Sequence, residues 1–220
     1  MKADLHLHSE YSRDCSLSVR DIVRRCGSLN IGAIAIVDHN SFMGSIEALA
    51  LDIESPVVLA GMEITTDSGH VLAYHVTEAV EKGLSVEETI DRIHGLGGIA
   101  AAPHPRRTWS GLDSRDIIKG RFDAIEALNG RSLRSSNKNA ERLAKSLGLS
   151  VIGGSDAHSL KGIGKALTVF PDHCQTAEDL AKAILRRQTT VEGSSRSVPG
   201  SIGYAMKCVS EWVERGFKRL

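Results

Sequence analysis

Hydrophobic and polar positions change rhythm along this chain, and each rhythm marks an element. Near the N-terminus they alternate, placing Leu5 and Leu7 on one face of a strand and Asp4, His6 and His8 on the other. A polar loop over 11–16 follows. The spacing then becomes helical, with Val19, Ile22, Val23 and Cys26 forming a stripe behind a Ser18 cap, to about residue 28. Residues 32–37 are nearly all apolar and branched, which suits a strand buried on both faces. A second helix is expected over about 43–53, and a strand from Val57 that passes Gly61 to reach Glu63.

The pattern continues in the same order. Asp67-Ser68-Gly69 makes a turn before a strand over 70–76. Ser85-Val86-Glu87-Glu88 is a capping-box sequence opening a helix to about 96, and Gly97-Gly98 ends it. Strands are expected at 99–102, 122–128, 151–154 and 166–170. Helices are expected near 113–119, over 136–147 up to Gly148, and from a Thr176 cap to about 187.

Some seven strand–helix units in a row point to an α/β protein built on a parallel barrel. With 220 residues the chain is shorter than the ~250 typical of eight strands, so a distorted (β/α)7 barrel is expected. Residues 1–220 read as a single domain with its core at about 1–192. A Gly/Ser-rich linker at 193–201 precedes an amphipathic helix near 202–218, whose stripe is Ile202, Met206, Val209, Val213 and Phe217.

Composition narrows the function. With 27 basic and 27 acidic side chains the formal net charge is zero, so no global field draws in nucleic acid or membrane. No apolar run approaches the ~20 residues of a membrane helix. The N-terminus lacks the basic-then-apolar layout of a secretory leader. The four cysteines (Cys15, Cys26, Cys174, Cys208) have neither metal-knuckle nor redox spacing, and are expected to be reduced thiols in a cytoplasmic protein.

The nine histidines carry the chemistry. Six fall at or beside expected strand ends: His6, His8, His39, His70, His104 and His158. Glu63 and Asp156 end strands too, and Asp14 follows the first. In a parallel barrel those ends converge on one face, where active sites are built. Imidazole and carboxylate without thiolate suit Zn, Mn or Fe. Nine ligands are too many for one ion, so two or three are implied, with a bridging carboxylate. Such a clamp suits in-line displacement at a phosphate ester. Arg106, Arg107 and Arg131 are candidate phosphate partners because guanidinium matches phosphate geometry. Asn129 ends a strand facing the site and is a candidate substrate contact, and Asp38 is expected to orient a ligand from behind.

Taken together, His6-Leu7-His8, Asp38-His39, Gly61-Met62-Glu63, Pro103-His104-Pro105 and Ser155-Asp156-Ala157-His158 resemble the PHP (polymerase and histidinol phosphatase) family, in order from residue 3 to about 170. The resemblance implies a trinuclear site on a distorted barrel. One metal would take His6, His8, Glu63 and Asp156; a second Glu63, His70 and His104; a third Asp14, His39 and His158. Asp14 stands where several family members carry histidine. It also implies a metal-bridging hydroxide, held by way of Glu63, Asp156 and His104, that would attack phosphorus. A small phosphorylated metabolite or nucleotide is the expected substrate. Neutral charge and the lack of an aromatic stacking row argue against long nucleic acid. Two rival readings are an amidohydrolase-like enzyme acting on a C–N or C–O bond and a non-catalytic module that kept the metal site. Many amidohydrolases add a carbamylated lysine from a mid-barrel strand end, and no lysine stands at such a position here.

Overall fold

A computed structural model describes residues 1–51, 53–107 and 110–196. The expected terminal helix at 202–218 lies outside the described residues, as does most of the expected linker. The chain begins with β1 (Lys2–Leu7), α1 (Val19–Ser28), β2 (Ala33–Ile36), α2 (Met43–Ala50), β3 (Val57–Val58), β4 (Gly61–Thr65) and β5 (His70–Tyr74). It continues with α3 (Val86–Gly95), β6 (Ile99–Ala102), α4 (Ser114–Lys119), β7 (Ala124–Asn129), α5 (Arg134–Leu147), β8 (Ser150–Gly154), β9 (Ala166–Val169), α6 (Ala177–Leu185) and β10 (Thr190–Gly193).

The helix boundaries follow from local chemistry. Ser18 accepts the Asp21 N–H ahead of α1, and Asp113 that of Arg115 ahead of α4. Full capping boxes, Ser85 with Glu88 and Thr176 with Asp179, open α3 and α6. Gly148 ends α5 in the left-handed region at φ 62°.

The strands make two five-stranded sheets, β10-β9-β1-β2-β3 and β4-β5-β6-β7-β8, rather than one continuous parallel ring. β1–β2–β3 and β6–β7–β8 are parallel, whereas β5 is antiparallel to both β4 and β6, and β9 to both β1 and β10. The expected strand from Val57 to Glu63 is in fact two. β3 pairs with β2, and β4 leaves for the other sheet, where a four-residue turn folds it back against β5. A connection that short cannot make a parallel crossover. β10 falls where no element is expected, between the end of the last core helix near 187 and the linker expected from 193. Its residues Thr-Val-Glu-Gly are part-exposed at a sheet edge, so hydropathy alone does not reveal it.

The sheets meet at two places. Leu7 bridges Ala157, and the Asp156 N–H donates to the His6 carbonyl at 2.8 Å. On the other side His39 bridges Glu63, and the Asn40 N–H donates to the Glu63 carbonyl at 2.8 Å. A side chain on Gly154 would collide with His6, so glycine is what lets β8 approach β1. Between the sheets lies a core that includes Leu5, Val37, Leu72, Tyr74, Ala101 and Ile152. The Tyr74 hydroxyl donates to the Leu5 carbonyl at 2.8 Å across it. Outside, α1 and α2 cover one sheet, and α3, α4 and α5 the other. Among the described residues no helix is long and apolar enough to cross a membrane.

Two strands break their alternation. The β1–β2 register shifts between Asp4 and Leu7, and the β7–β8 register between Glu126 and Leu128. Leu5 therefore packs in the central core while Leu7 joins the cluster under α1 and α2. Asp4 does not share a face with His6 and His8 as strict alternation predicts.

Candidate metal centre

The strand ends bring one carboxylate into the middle of a ring of imidazoles. Glu63, on β4, is 1% exposed. Its Oε1 lies 2.9 Å from His70 Nδ1 and 3.0 Å from His104 Nε2. Its Oε2 lies 3.3 Å from His39 Nδ1 and 3.4 Å from both His6 Nε2 and His8 Nε2. The five imidazoles come from β1, β5 and the loops after β1, β2 and β6. Near them His158 Nε2 sits 2.8 Å from Asp14 Oδ2, which is 3.9 Å from His39 Nε2.

Electrostatics sort these groups into the forms that bind cations. Burial alone would raise the Glu63 carboxyl, but His39, His70 and His6 outweigh it and hold it well below the usual range. Burial likewise opposes ionisation of Asp156, yet Arg131 and Arg107 keep it well below its ordinary value. Burial drives His8 well down, with His158 and His39 adding to the effect, and lowers His39 also. Burial and Arg107 lower His104 to about 4. Anionic carboxylates and neutral imidazoles are the states a divalent ion requires. His6 runs the other way: Glu126, Asp156 and Glu63 outweigh burial and raise it well above the ordinary value.

Second partners set which ring nitrogen faces inward. Asp38 accepts the Ser9 N–H and hydroxyl, both at 2.6 Å, and the Ser12 hydroxyl at 2.9 Å. With its single proton given to Asp38, Ser12 Oγ can only accept from His8 Nδ1, 3.1 Å away. That puts the His8 proton on Nδ1 and turns the Nε2 lone pair towards Glu63. Asp38 thus reaches His8 through Ser12. Sequence reading missed Glu126, whose Oε1 lies 2.9 Å from His6 Nδ1 and whose Oε2 accepts the His104 N–H at 2.8 Å. A lone acid in the apolar strand Ala-Ile-Glu-Ala-Leu was the available signal.

The residues fit a metal ion. Four groups have ligand atoms all within 4.8 Å of one another among the described residues: His6–His8–Glu63, His39–Glu63–His70, His6–His104–Asp156 and His8–His39–His158. His8 Nε2 and His39 Nδ1 are buried without a hydrogen-bond partner. Buried donor atoms of this kind ordinarily have partners. The grouping departs from the implied sets in that His39 sits with Glu63 and His70, and Asp14 falls outside all four. Asp14 Oδ1 is itself buried and unpartnered. Asp4 stands apart, accepting the Ser155 and Gly164 N–H groups at 2.8 and 2.9 Å, and burial pushes its carboxyl up to about 6.

The arginines divide. Arg107 donates to Asp156 Oδ2 at 2.6 Å and to Asn129 Oδ1 at 2.9 Å. Arg131 reaches Asp156 Oδ1 at 3.0 Å and His158 Nδ1 at 2.7 Å. Arg106 is placed apart from this cluster: its backbone sits at φ 61° and its exposed side chain lines a separate cavity of about 510 Å³ with Ser136, Asn139 and Arg142. Asn129 is fully buried with its amide engaged on all sides, so its place is in the framework rather than on an open surface.

The chain is similar in sequence and in fold to several known proteins. A family model described as PHP-associated matches residues 134–189. The uncharacterized protein MJ1587 of Methanocaldococcus jannaschii is 40% identical over 140 residues, covering 59% of this chain and 82% of the relative. MJ0417 of the same organism is 31% identical over 193 residues, covering 82% and 76%. The chain is a PHP-domain protein. Among solved structures, a two-domain Bacteroides vulgatus protein containing a predicted PHP-like metal-dependent phosphoesterase has a TM-score of 0.74 at 18% identity, over 88% of this chain. This chain spans 64% of that protein's length. The PHP fold also aligns with the lesion-specific endonuclease Q of Pyrococcus furiosus (TM-score 0.68, 18% identity, 86% of this chain and 57% of that one). An amidohydrolase of Chromobacterium violaceum aligns over 86% of this chain and 97% of its own (TM-score 0.66, 17% identity).

Proposed function

We propose that this PHP-domain protein is a metal-dependent phosphoesterase with its site at Glu63. The observation that carries the reading is a buried carboxylate, Glu63, with both oxygens turned to imidazoles, and a second, Asp156, that holds two guanidinium groups. Glu63 would hold two ions, with His6, His8, His39, His70, His104 and Asp156 as the surrounding ligands and His158 and Asp14 at the margin. Zn, Mn or Fe fits this nitrogen-and-oxygen donor set. Bound ions of this kind supply Lewis acidity and lower the pKa of the water they hold.

The chain's own residues do the rest. Arg107 and Arg131 would receive phosphoryl oxygens, each kept in place by an Asp156 oxygen. Asn129 holds Arg107 from behind. Burial of Glu63 and Asp156 keeps the local dielectric low, which strengthens each of these contacts. A small phosphate ester or nucleotide fits such a site. The neutral charge does not exclude nucleic acid, since one protein of similar fold is a lesion-specific endonuclease. The two sheets would form the halves of the distorted (β/α)7 barrel, with residues 1–192 as its core.

An amidohydrolase-like reaction is the rival, and the paired arginines favour phosphorus over carbon. The test is metal analysis of the purified protein with a phosphate-release panel of mono- and diesters under Mn, Zn, Fe and Mg. Release that depends on one of these ions is the expected result. No release from any ester with any ion would overturn the reading.

A further inference from the structure

We propose that Glu126 and Asn129 are a positioning pair that sets one ion position, the one formed by His6, His104 and Asp156. The inference rests on the metal-centre reading above. Neither residue would be a ligand. They act on all three ligands of one group and do so from a single strand.

The hydrogen bonds reach every member of that group, and of the other three groups only His6–His8–Glu63 shares a member, His6, with it. Glu126 Oε1 takes His6 Nδ1 at 2.9 Å, and Glu126 Oε2 takes the His104 backbone N–H at 2.8 Å. Asn129 Nδ2 donates to Glu126 Oε2 at 3.0 Å and to Asp156 Oδ2 at 3.2 Å. The amide orientation is determined by its neighbours: Oδ1 accepts from Arg107 Nη2 and the Arg131 N–H, both at 2.9 Å. Reversed, it would set an oxygen against two carboxylates and an NH2 against two donors.

Three features of the fold serve this arrangement. The register shift in β7 between Glu126 and Leu128 lets residues 126 and 129 face the site together, whereas a regular strand would turn them to opposite faces. Asn137 of α5 grips the Asn129 backbone on both sides, taking its N–H at 3.1 Å and donating to its carbonyl at 3.0 Å. The His104 backbone lies at φ 28°, outside ordinary strand or helix geometry, and the Glu126 bond to its N–H holds it there.

A carboxylate is needed at residue 126. It accepts on both oxygens, so it serves His6 Nδ1 and the His104 N–H at once and leaves His6 Nε2 for a cation. Glu126→Gln has the same shape but only one accepting oxygen, and its NH2 would confront a donor on the other side. Asn129→Asp is equally close in shape and removes both donated bonds.

The experiment is titration of each metal-free protein with Mn(II) and Zn(II) by calorimetry, with elemental analysis of the loaded forms. Both variants are expected to bind one equivalent about 10–100-fold more weakly than wild type, with any equivalent that does not use His6, His104 or Asp156 unchanged. Nitrogen-15 NMR of the zinc-loaded protein adds a readout of the ring: His6 is protonated at Nδ1 in wild type and loses that single form in Glu126→Gln. Wild-type stoichiometry and affinities in both variants would overturn the proposal. So would an equal weakening of every equivalent together with a fall in the metal-free unfolding midpoint, which marks general loosening. If Glu126→Gln does not fold, Asn129→Asp decides. If wild type itself binds no ion, the metal-centre reading fails first, and that outcome is distinct from the others.

Discussion

At the scale of single residues, what matters is which atom of a side chain is already committed. Arg107 and Arg106 are neighbours with the same chemistry, yet only Arg107 turns towards Asp156. Arg107→Ala is therefore expected to raise KM for a phosphate ester on the order of tenfold or more, the scale of a lost charge-assisted hydrogen bond. Arg106→Ala should leave KM where it was. Steady-state kinetics on the two variants check this directly, and a larger effect at Arg106 would contradict the placement.

At the scale of elements, caps decide where helices begin and at which pH they hold. The N–H of Gln175 and the hydroxyl and N–H of Thr176 all donate to Asp179, holding its carboxyl below its ordinary value of 3.8. A carboxyl depressed in the folded state contributes stability that is present above the ordinary value. That contribution is lost as pH falls through the lower folded value. The stability gap between wild type and Asp179→Ala should accordingly be full at neutral pH and shrink below 3.8. Denaturant unfolding across that range measures it; a constant gap would show that the cap does not work through charge. α6 matters beyond its own turn because Leu180 and Ile184 close the central core.

At the scale of the molecule, the two sheets meet through His39–Glu63 on one side and Leu7–Ala157 on the other, and both contacts lie at the candidate centre. Ions bound there would tie the sheets together as well as serve catalysis. Anything that binds only the folded state stabilises it by mass action, ~2.7 kcal/mol at a hundred times Kd. Removing metal with a chelator should thus lower the unfolding midpoint by several degrees, and adding Mn or Zn should restore it. A midpoint indifferent to both would argue that no ion bridges the sheets.

Much of this was legible in the chain before folding. The boundaries of α1, α3 and β6 follow from Ser18, from Ser85 with Glu88, and from the run Ile99–Ala102. The clustering of six histidines and Glu63 at strand ends was legible as well, because composition and period are local properties. Three things were not. Asp4 leaves the His6–His8 face because a register shift in β1 changes the phase of alternation. Glu126 joins the site because a second shift, in β7, turns it and Asn129 the same way. Arg106 and Arg107 part company because φ 61° at the first throws their side chains apart. A register shift depends on the partner strand, and a positive φ on the packing around it. Residue identity determined which donors and acceptors this protein has; only the tertiary structure, through strand pairing, decided which of them face one another.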